Sequence, residues 1–423
     1  MRHITNVSTI SHSTTASSRE KPSFSLKRSL RFSVMACHIT FCLALLAFYS
    51  AIMSAQTDEF QPNRPSGPTG VLVHSKFGGQ IFGYDIDQNG TEGILAEAKV
   101  LNNGNVLAAV ETFNQASGAI VDVVQLAQPS SPDDDFIAMG VVGNSVGLFE
   151  HQHVAHGFVA EDTFSTLNPL GSNRVNGSWT PPIGPQHIIM PDGVSHNQGV
   201  PNVAVFAYDN SDNFMPYVFS SNVAANTFGP VITITDSTNF GSVPPALGYD
   251  SVTNQAILGG GTGAFGRRPI IGLANLTSGA FSEFEGIGFG FVNGMAVDSA
   301  DGIFCTDTED DAGVEFYNLS TQTGFEVTLP GSGGQQQFSG ADIEFDSANK
   351  LFLIAQPSSS SAPSGSTIYV YDIHGNLQEI VNGFSFSNSF NVIPMYIALH
   401  PSQRSGYVQG PDDGVTELQA FTY

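Results

Sequence analysis

One short phrase returns at a fixed interval in the C-terminal half of the chain: an apolar residue, Asp, Ser, a turn, then an apolar run. The copies are Tyr249-Asp250-Ser251, Val297-Asp298-Ser299 and Phe345-Asp346-Ser347, with aspartates 48 residues apart. A weaker copy, Leu399-His400-Pro401-Ser402, places His400 54 residues after Asp346. A period of about 40–50 residues holding several short strands is the signature of a β-propeller, one sheet per period.

Each period reads as four strands. Around Asp298 an inner strand (Gly294 to Val297) turns at Ser299-Ala300-Asp301-Gly302. Strands at Ile303 to Thr306, Val314 to Leu319 and Phe325 to Leu329 follow. The next copy gives Ala341 to Phe345, Leu351 to Ala355, Thr367 to Tyr371 and Leu377 to Val381. A second turn sets Asn or Asp after the third strand, at Asn114, Asp209, Asn275 and Asn318. These side chains bond their own backbone and tolerate positive φ. The interval from Asn114 to Asp209 leaves room for one further blade near Val146 to Leu167. At this period residues 69–423 hold about seven blades, with six as the alternative. The last copy ends after three strands, so Gln80 to Asp85 and Ile94 to Val100 are expected to be free to complete it. Such pairing of an N-terminal strand with the last blade removes open sheet edges. No segment carries a 3.6-residue period, which predicts little helix.

The phrase Asn293-Gly294-Met295-Ala296-Val297-Asp298, followed by a turn and a second apolar strand, resembles the NHL and gluconolactonase/regucalcin-like group of propellers. The likeness covers about half of the chain beyond residue 55. It implies a propeller with a central pore and no particular substrate.

Residues 1–55 differ from the rest. Arg2, Arg19, Lys21, Lys27, Arg28 and Arg31 precede an apolar stretch from Val34 to Met53, and Ser54-Ala55 follow. This reads as a secretion signal cleaved after Ala55, or as an uncleaved signal anchor. Residues 56–68 are a Pro-rich linker, and 69–423 form the propeller domain. A secreted, periplasmic or cell-surface location follows. Of 14 Lys and Arg and 38 Asp and Glu, the domain after residue 55 keeps eight and 37, a net charge of −29. Such a surface excludes nucleic acid, and membrane apart from the leader, as main partners, and it favours a soluble monomer. Cys305 is the only cysteine after residue 55, so no internal disulfide forms and packing must hold the fold.

Three sets of residues suit metal or pore chemistry. Asp85, Asp87, Asn89 and Glu92 lie in Asp85-Ile86-Asp87-Gln88-Asn89-Gly90-Thr91-Glu92, which spaces oxygen ligands as Ca²⁺ loops do. The twelfth position is Ala96 where a bidentate Glu is expected, so a plain hairpin turn is the competing reading. His151 and His153 share one face of a strand and can pair on a transition metal. Asn293, Asp342 and Asn391 stand at or before innermost strands and would be the pore residues of a metal-dependent hydrolase or lactonase. A further acidic run, Asp307-Thr308-Glu309-Asp310-Asp311, reads as a solvated loop.

Two apparent motifs lack their context. Gly143-Asn144-Ser145-Val146-Gly147 fits the nucleophile elbow, yet strand residues follow where a helix is required. Gly261-Thr262-Gly263-Ala264-Phe265-Gly266 is followed by Arg267-Arg268-Pro269 in place of a phosphate-binding helix. Trp179 is the only tryptophan, which argues against propellers built on repeated Trp. With no intact catalytic set, the expected role is non-catalytic: an exported propeller binding a carbohydrate, a small molecule or a surface protein, with Ca²⁺ as a candidate stabiliser. A pore hydrolase and a structural matrix protein are the alternatives.

Overall fold

The computed structural model describes residues 66–423 apart from 87–90, 102–105, 126–134, 143–144, 154–159, 169–170, 179–188, 197–201, 210–214, 223–226, 236, 241–245, 262–267, 309–312, 331–341, 357–366, 385–396 and 410–416. Strand β1 (Gly67–His74) comes first. Then β2 (Gln80–Ile86), β3 (Glu92–Val100), β4 (Val106–Asn114) and β5 (Ile120–Gln125) pair in that order. The pattern repeats in β6 (Asp135–Val142), β7 (Ser145–His153), β8 (Ala160–Asn168) and β9 (Gly171–Ser178). In the next sheet β10 (Ile189–His196), β11 (Asn202–Asp209) and β12 (Met215–Asn222) share their outer edge with the short β13 (Thr227–Phe228) and β14 (Ile232–Thr233). The four-residue helix α1 (Ser237–Phe240) follows.

Three regular sheets come next. They are β15 (Ala246–Asp250), β16 (Gln255–Gly260), β17 (Ile270–Asn275) and β18 (Phe281–Glu285); then β19 (Val292–Asp298), β20 (Ile303–Thr308), β21 (Gly313–Asn318) and β22 (Thr323–Thr328); then β23 (Asp342–Asp346), β24 (Leu351–Gln356), β25 (Thr367–Asp372) and β26 (Leu377–Val381). Last are β27 (Ile397–His400), β28 (Ser405–Gln409) and β29 (Glu417–Thr422). The described strands thus fall into seven antiparallel sheets. Their first strands contact one another in chain order, and β27 also contacts β2. The fold is an all-β propeller of mostly four-stranded antiparallel sheets.

Two expectations change. The strand that joins the final three is β1, which pairs β29 with Gly67 opposite Thr422 and His74 opposite Glu417. The two segments expected to serve there, β2 and β3, are instead the first and second strands of their own sheet. The acidic run after Thr306 also begins differently. Strand β20 continues to Thr308 because Asp307 is held between Gly294 and Val314 in the ladder. Asp307 is therefore fully buried and not part of a solvated loop.

Burial falls steeply from the inside outwards. In one sheet β19 is buried at six of seven positions, whereas β22 is exposed at all but one. The second strands have both faces covered, which explains their unbroken apolar runs, such as Leu351-Phe352-Leu353-Ile354-Ala355. Cores form between neighbouring sheets. Ala296, Cys305 and Phe316 of one pack against Ile343, Phe345 and Phe352 of the next.

The repeated Asp-Ser phrase is a turn device. Asp250, Asp298 and Asp346 are each at most 2 % exposed and end an innermost strand. Asp346 Oδ1 accepts the backbone N–H groups of Ala348 and Asn349 at 2.9 and 3.0 Å. Asp298 accepts those of Ala300 and Asp301, and Asp250 that of Val252. Four residues on, the chain takes left-handed φ at Asn254 (51°), Gly302 (63°), Lys350 (58°) and Arg404 (46°). The weak fourth copy thus shares the geometry. With His400 in place of Asp, its turn is a 3₁₀ helix, Pro401–Gln403, closed by Arg404 N–H donating to Pro401 O.

The same turns tie sheet to sheet. Ser299 Oγ accepts the Ser251 N–H at 2.9 Å, and Tyr423 Oη donates to Asp346 Oδ2 at 2.8 Å. Lys350 Nζ reaches back to both Asp298 oxygens at 2.8 and 3.0 Å. Asp298 is 1 % exposed and the Lys350 side chain 39 %, so solvent screens one partner only. Replacing Lys350 by Met leaves a buried carboxylate with its turn N–H groups but no cation. Allowing for screening, Lys350→Met should cost about 1–3 kcal/mol in reversible denaturation. A loss of a few tenths would show that solvent replaces the ammonium.

Candidate acidic site at the innermost strands

The innermost strands carry a recurring irregularity. The ladder skips one residue at Phe82, Ile137, Asp192 and Asn293, near the start of β2, β6, β10 and β19. Each is followed by a small residue: Gly83, Ala138, Gly193 and Gly294. Such bulges bend a strand and re-aim its side chains, and are common beside functional sites. The Nδ2 of Asn293 is buried and has no hydrogen-bond partner among the described residues.

In the ladder register Asp342 occupies in β23 the place that Gly294 holds in β19. Two residues on, Glu344 matches Ala296, and the same level is Gly248 in β15, Ala398 in β27 and Asp85 in β2. Three carboxylates therefore lie on the two strands that flank β27, while small residues fill the level on β27, β19 and β15. Burial raises the Asp342 carboxyl to about 6, against hydrogen bonds from the Ile397 and Ile343 backbone that favour its charge, and Asp85 pushes it further up. The Ile397 N–H donates to Asp342 Oδ2 at 2.7 Å. Glu344 is pushed up more strongly by burial, then by Asp342 and Asp85. Asp342 and Glu344 nevertheless keep part of their surface accessible.

Tyr84 closes one side of the group. Its hydroxyl donates to Tyr407 O at 3.3 Å and accepts the Gln409 N–H at 3.0 Å, bridging β2 to β28. Its ionisation is suppressed by burial and then by Asp342, Glu344 and Asp85. Burial first, and then repulsion between the carboxylates, resists negative charge here, and added positive charge relieves it.

The positions singled out from sequence separate accordingly. Asp342 is in the acidic group, as is Asp85, whose Oδ1 accepts the Ile86 N–H at 2.7 Å. Asn293 sits at a bulge on β19, and Asn391 lies outside the described residues. Asp87 and Asn89 also lie outside them, and Glu92 starts β3 with its carbonyl accepting Gln115 Nε2. His151 and His153 are on β7, opposite Asp162 and Ala160 in the ladder. Among the described residues no three His, Cys, Asp or Glu converge as a metal's ligand set. Glu344 was not anticipated. Its signal was present in the alternation Asp342-Ile343-Glu344-Phe345-Asp346, which places three acids on one face of a strand.

The raised Asp342 carboxyl gives a pH prediction. A folded-state value of about 6 lies above the ordinary value of 3.8, so the native state holds this proton more tightly than the unfolded chain. The associated stability is complete below about pH 4 and is lost as pH rises through about 6. Asp342→Asn keeps an acceptor for Ile397 and removes the charge. It should nearly match the parent near pH 4 and exceed it by about 3 kcal/mol at pH 7 in denaturant titrations. Parallel curves for the two proteins would refute the assignment.

No protein-family model matches the chain, and no curated protein matches its sequence. Among solved structures the fold is similar to the one titled "Structure of U3-55K", with a TM-score of 0.53 and 12 % identity. The match covers 84 % of this chain and all of that one. At that identity the likeness concerns the fold alone.

Proposed function

We propose that this protein is an exported, non-catalytic propeller of seven blades, closed by the β1–β29 pairing, that binds a positively charged group of a ligand or surface partner at Asp85, Asp342 and Glu344. The observation that carries the reading is the pairing of Asp342 and Glu344 on one strand face, both held toward their protonated forms while still accessible. The three acids do not converge as a metal's ligands, so the cation that suits them is diffuse, an ammonium or guanidinium with its own hydrogen-bond donors. Small residues at the same level, Gly248, Ala296 and Ala398, leave width for such a group. Export rests on the basic and apolar pattern of residues 1–55.

The test is calorimetry and thermal unfolding with a linear diamine and with arginine amide as probes, and Ca²⁺ and Mg²⁺ in parallel. A ligand that binds only the native state raises its midpoint, by about 2.7 kcal/mol of stability at a hundredfold excess over the dissociation constant. The diamine should raise the midpoint of the parent and leave Asp342→Asn/Glu344→Gln unchanged. A rise with Ca²⁺ alone that survives in this double variant would move the cation to the Asp85–Glu92 hairpin. No rise with any probe would sink the binding reading.

A further inference from the structure

A second pair of buried acids lies away from the innermost strands, under the linker that joins β1 to β2. Glu97 on β3 and Glu111 on β4 are fully buried diagonal neighbours on one face of their sheet. The linker folds onto both. Glu111 accepts the Lys76 N–H at 3.0 and 3.1 Å and the Phe77 N–H at 2.6 Å. Glu97 Oε2 accepts the Ser75 hydroxyl at 2.5 Å and the Gly79 N–H at 2.9 Å. The other Glu97 oxygen, Oε1, is buried and has no partner among the described residues.

The sheet of β19 to β22 shows what that oxygen needs. By ladder register Glu315 of β21 occupies the place of Glu111, since one faces Thr306 and the other Leu95 at equivalent levels. Thr308 occupies the place of Glu97, opposite Val292 as Glu97 is opposite Ile81. There Thr308 Oγ1 donates to Glu315 Oε1 at 2.8 Å, and Thr306 Oγ1 to Oε2 at 2.8 Å. At the Thr308 position β3 carries a carboxyl, which donates only when protonated.

We infer that Glu97 holds a proton shared with Glu111, and that this shared proton clasps the β1–β2 linker where the first sheet meets the last, so that the linker loosens as the proton is lost. Burial, then the adjoining Glu111, raises the Glu97 carboxyl to about 7, against the Ser75 and Gly79 hydrogen bonds that favour its charge. Other charged groups around the pair do not neutralise it directly. Lys76 Nζ donates to Ile120 O, and Lys99 Nζ donates to Phe77 O and lies 3.9 Å over the Phe77 ring. Strand β6, packed against β3, begins with the acid Asp135. The sign follows from the raised value: the clasp is complete at acid pH and lost as pH rises through about 7.

The measurement is hydrogen exchange of the Lys76 and Phe77 amides in the whole protein, corrected for intrinsic rates, at about pH 6 and about pH 8.5. Protection in the parent should fall roughly tenfold across that interval. Glu97→Gln supplies a permanent donor of the same shape and should abolish the fall. An equal fall in Glu97→Gln, or none in the parent, would overturn the inference. If that variant does not fold, infrared titration in an Asp342→Asn/Glu344→Gln background decides instead. A protonated-carboxyl stretch vanishing near neutral pH supports the shared proton, and its absence overturns it.

Discussion

Three innermost strands, β15, β19 and β23, end in an aspartate whose carboxylate is buried although most of the turn after it is exposed. A buried carboxylate needs donors in place of water. The backbone N–H groups of the turn supply them, and in Asp298 and Asp346 a neighbouring sheet adds one more. Asp346 serves the Ala348 and Asn349 amides and the Tyr423 hydroxyl together. Asp298 serves its own turn and Lys350. The 48-residue spacing is the spacing of this requirement. Where His400 replaces the carboxylate, the turn tightens into a 3₁₀ helix that satisfies more of its own backbone.

The interior acids divide by the donors around them. Glu315 receives two hydroxyls. Glu111 receives three contacts from two linker amides and rests beside Glu97. Asp342 and Glu344 receive backbone donors but are buried with Asp85 nearby, so their charge is resisted. Burial raises a carboxyl's pKa and donors lower it, and at Asp342 and Glu344 burial outweighs the donors they receive.

This division explains what could be read in advance. The period, the strand runs, the Asn turns and the scarcity of helix were legible because each is written in local pattern. Asn275 and Asn318, for example, cap their turns by accepting two following N–H groups each. The ring register was not legible, because β1 and β29 pair across almost the whole domain and no local signal links Gly67 to Thr422. Asp307 read as a loop acid because its burial depends on the Gly294 and Val314 ladders, not on its neighbours in sequence. Asp342 was found as a pore candidate from its place at an innermost strand. Glu97 and Glu111 were passed over, since one charge in an apolar run looks like a solvent-facing position until the overlying linker is known.

The pairing of β1 with β29 also orders events in time. Thr69 Oγ1 donates to Ala420 O across 351 residues of chain. A ribosome releases β1 first, yet its partner emerges last, so the earliest strand waits unpaired through synthesis of every other sheet. Closing so long a loop is entropically costly and slow compared with forming the hairpins within each sheet. During that wait Val73, near the end of β1, can pack on Leu95, Phe113 and Ile120 of the first sheet but lacks Leu418 and Ala420 of the last. The pairing of β1 thus waits on β29, and a chain stalled shortly before Glu417 would hold nearly all of the described sheets without it.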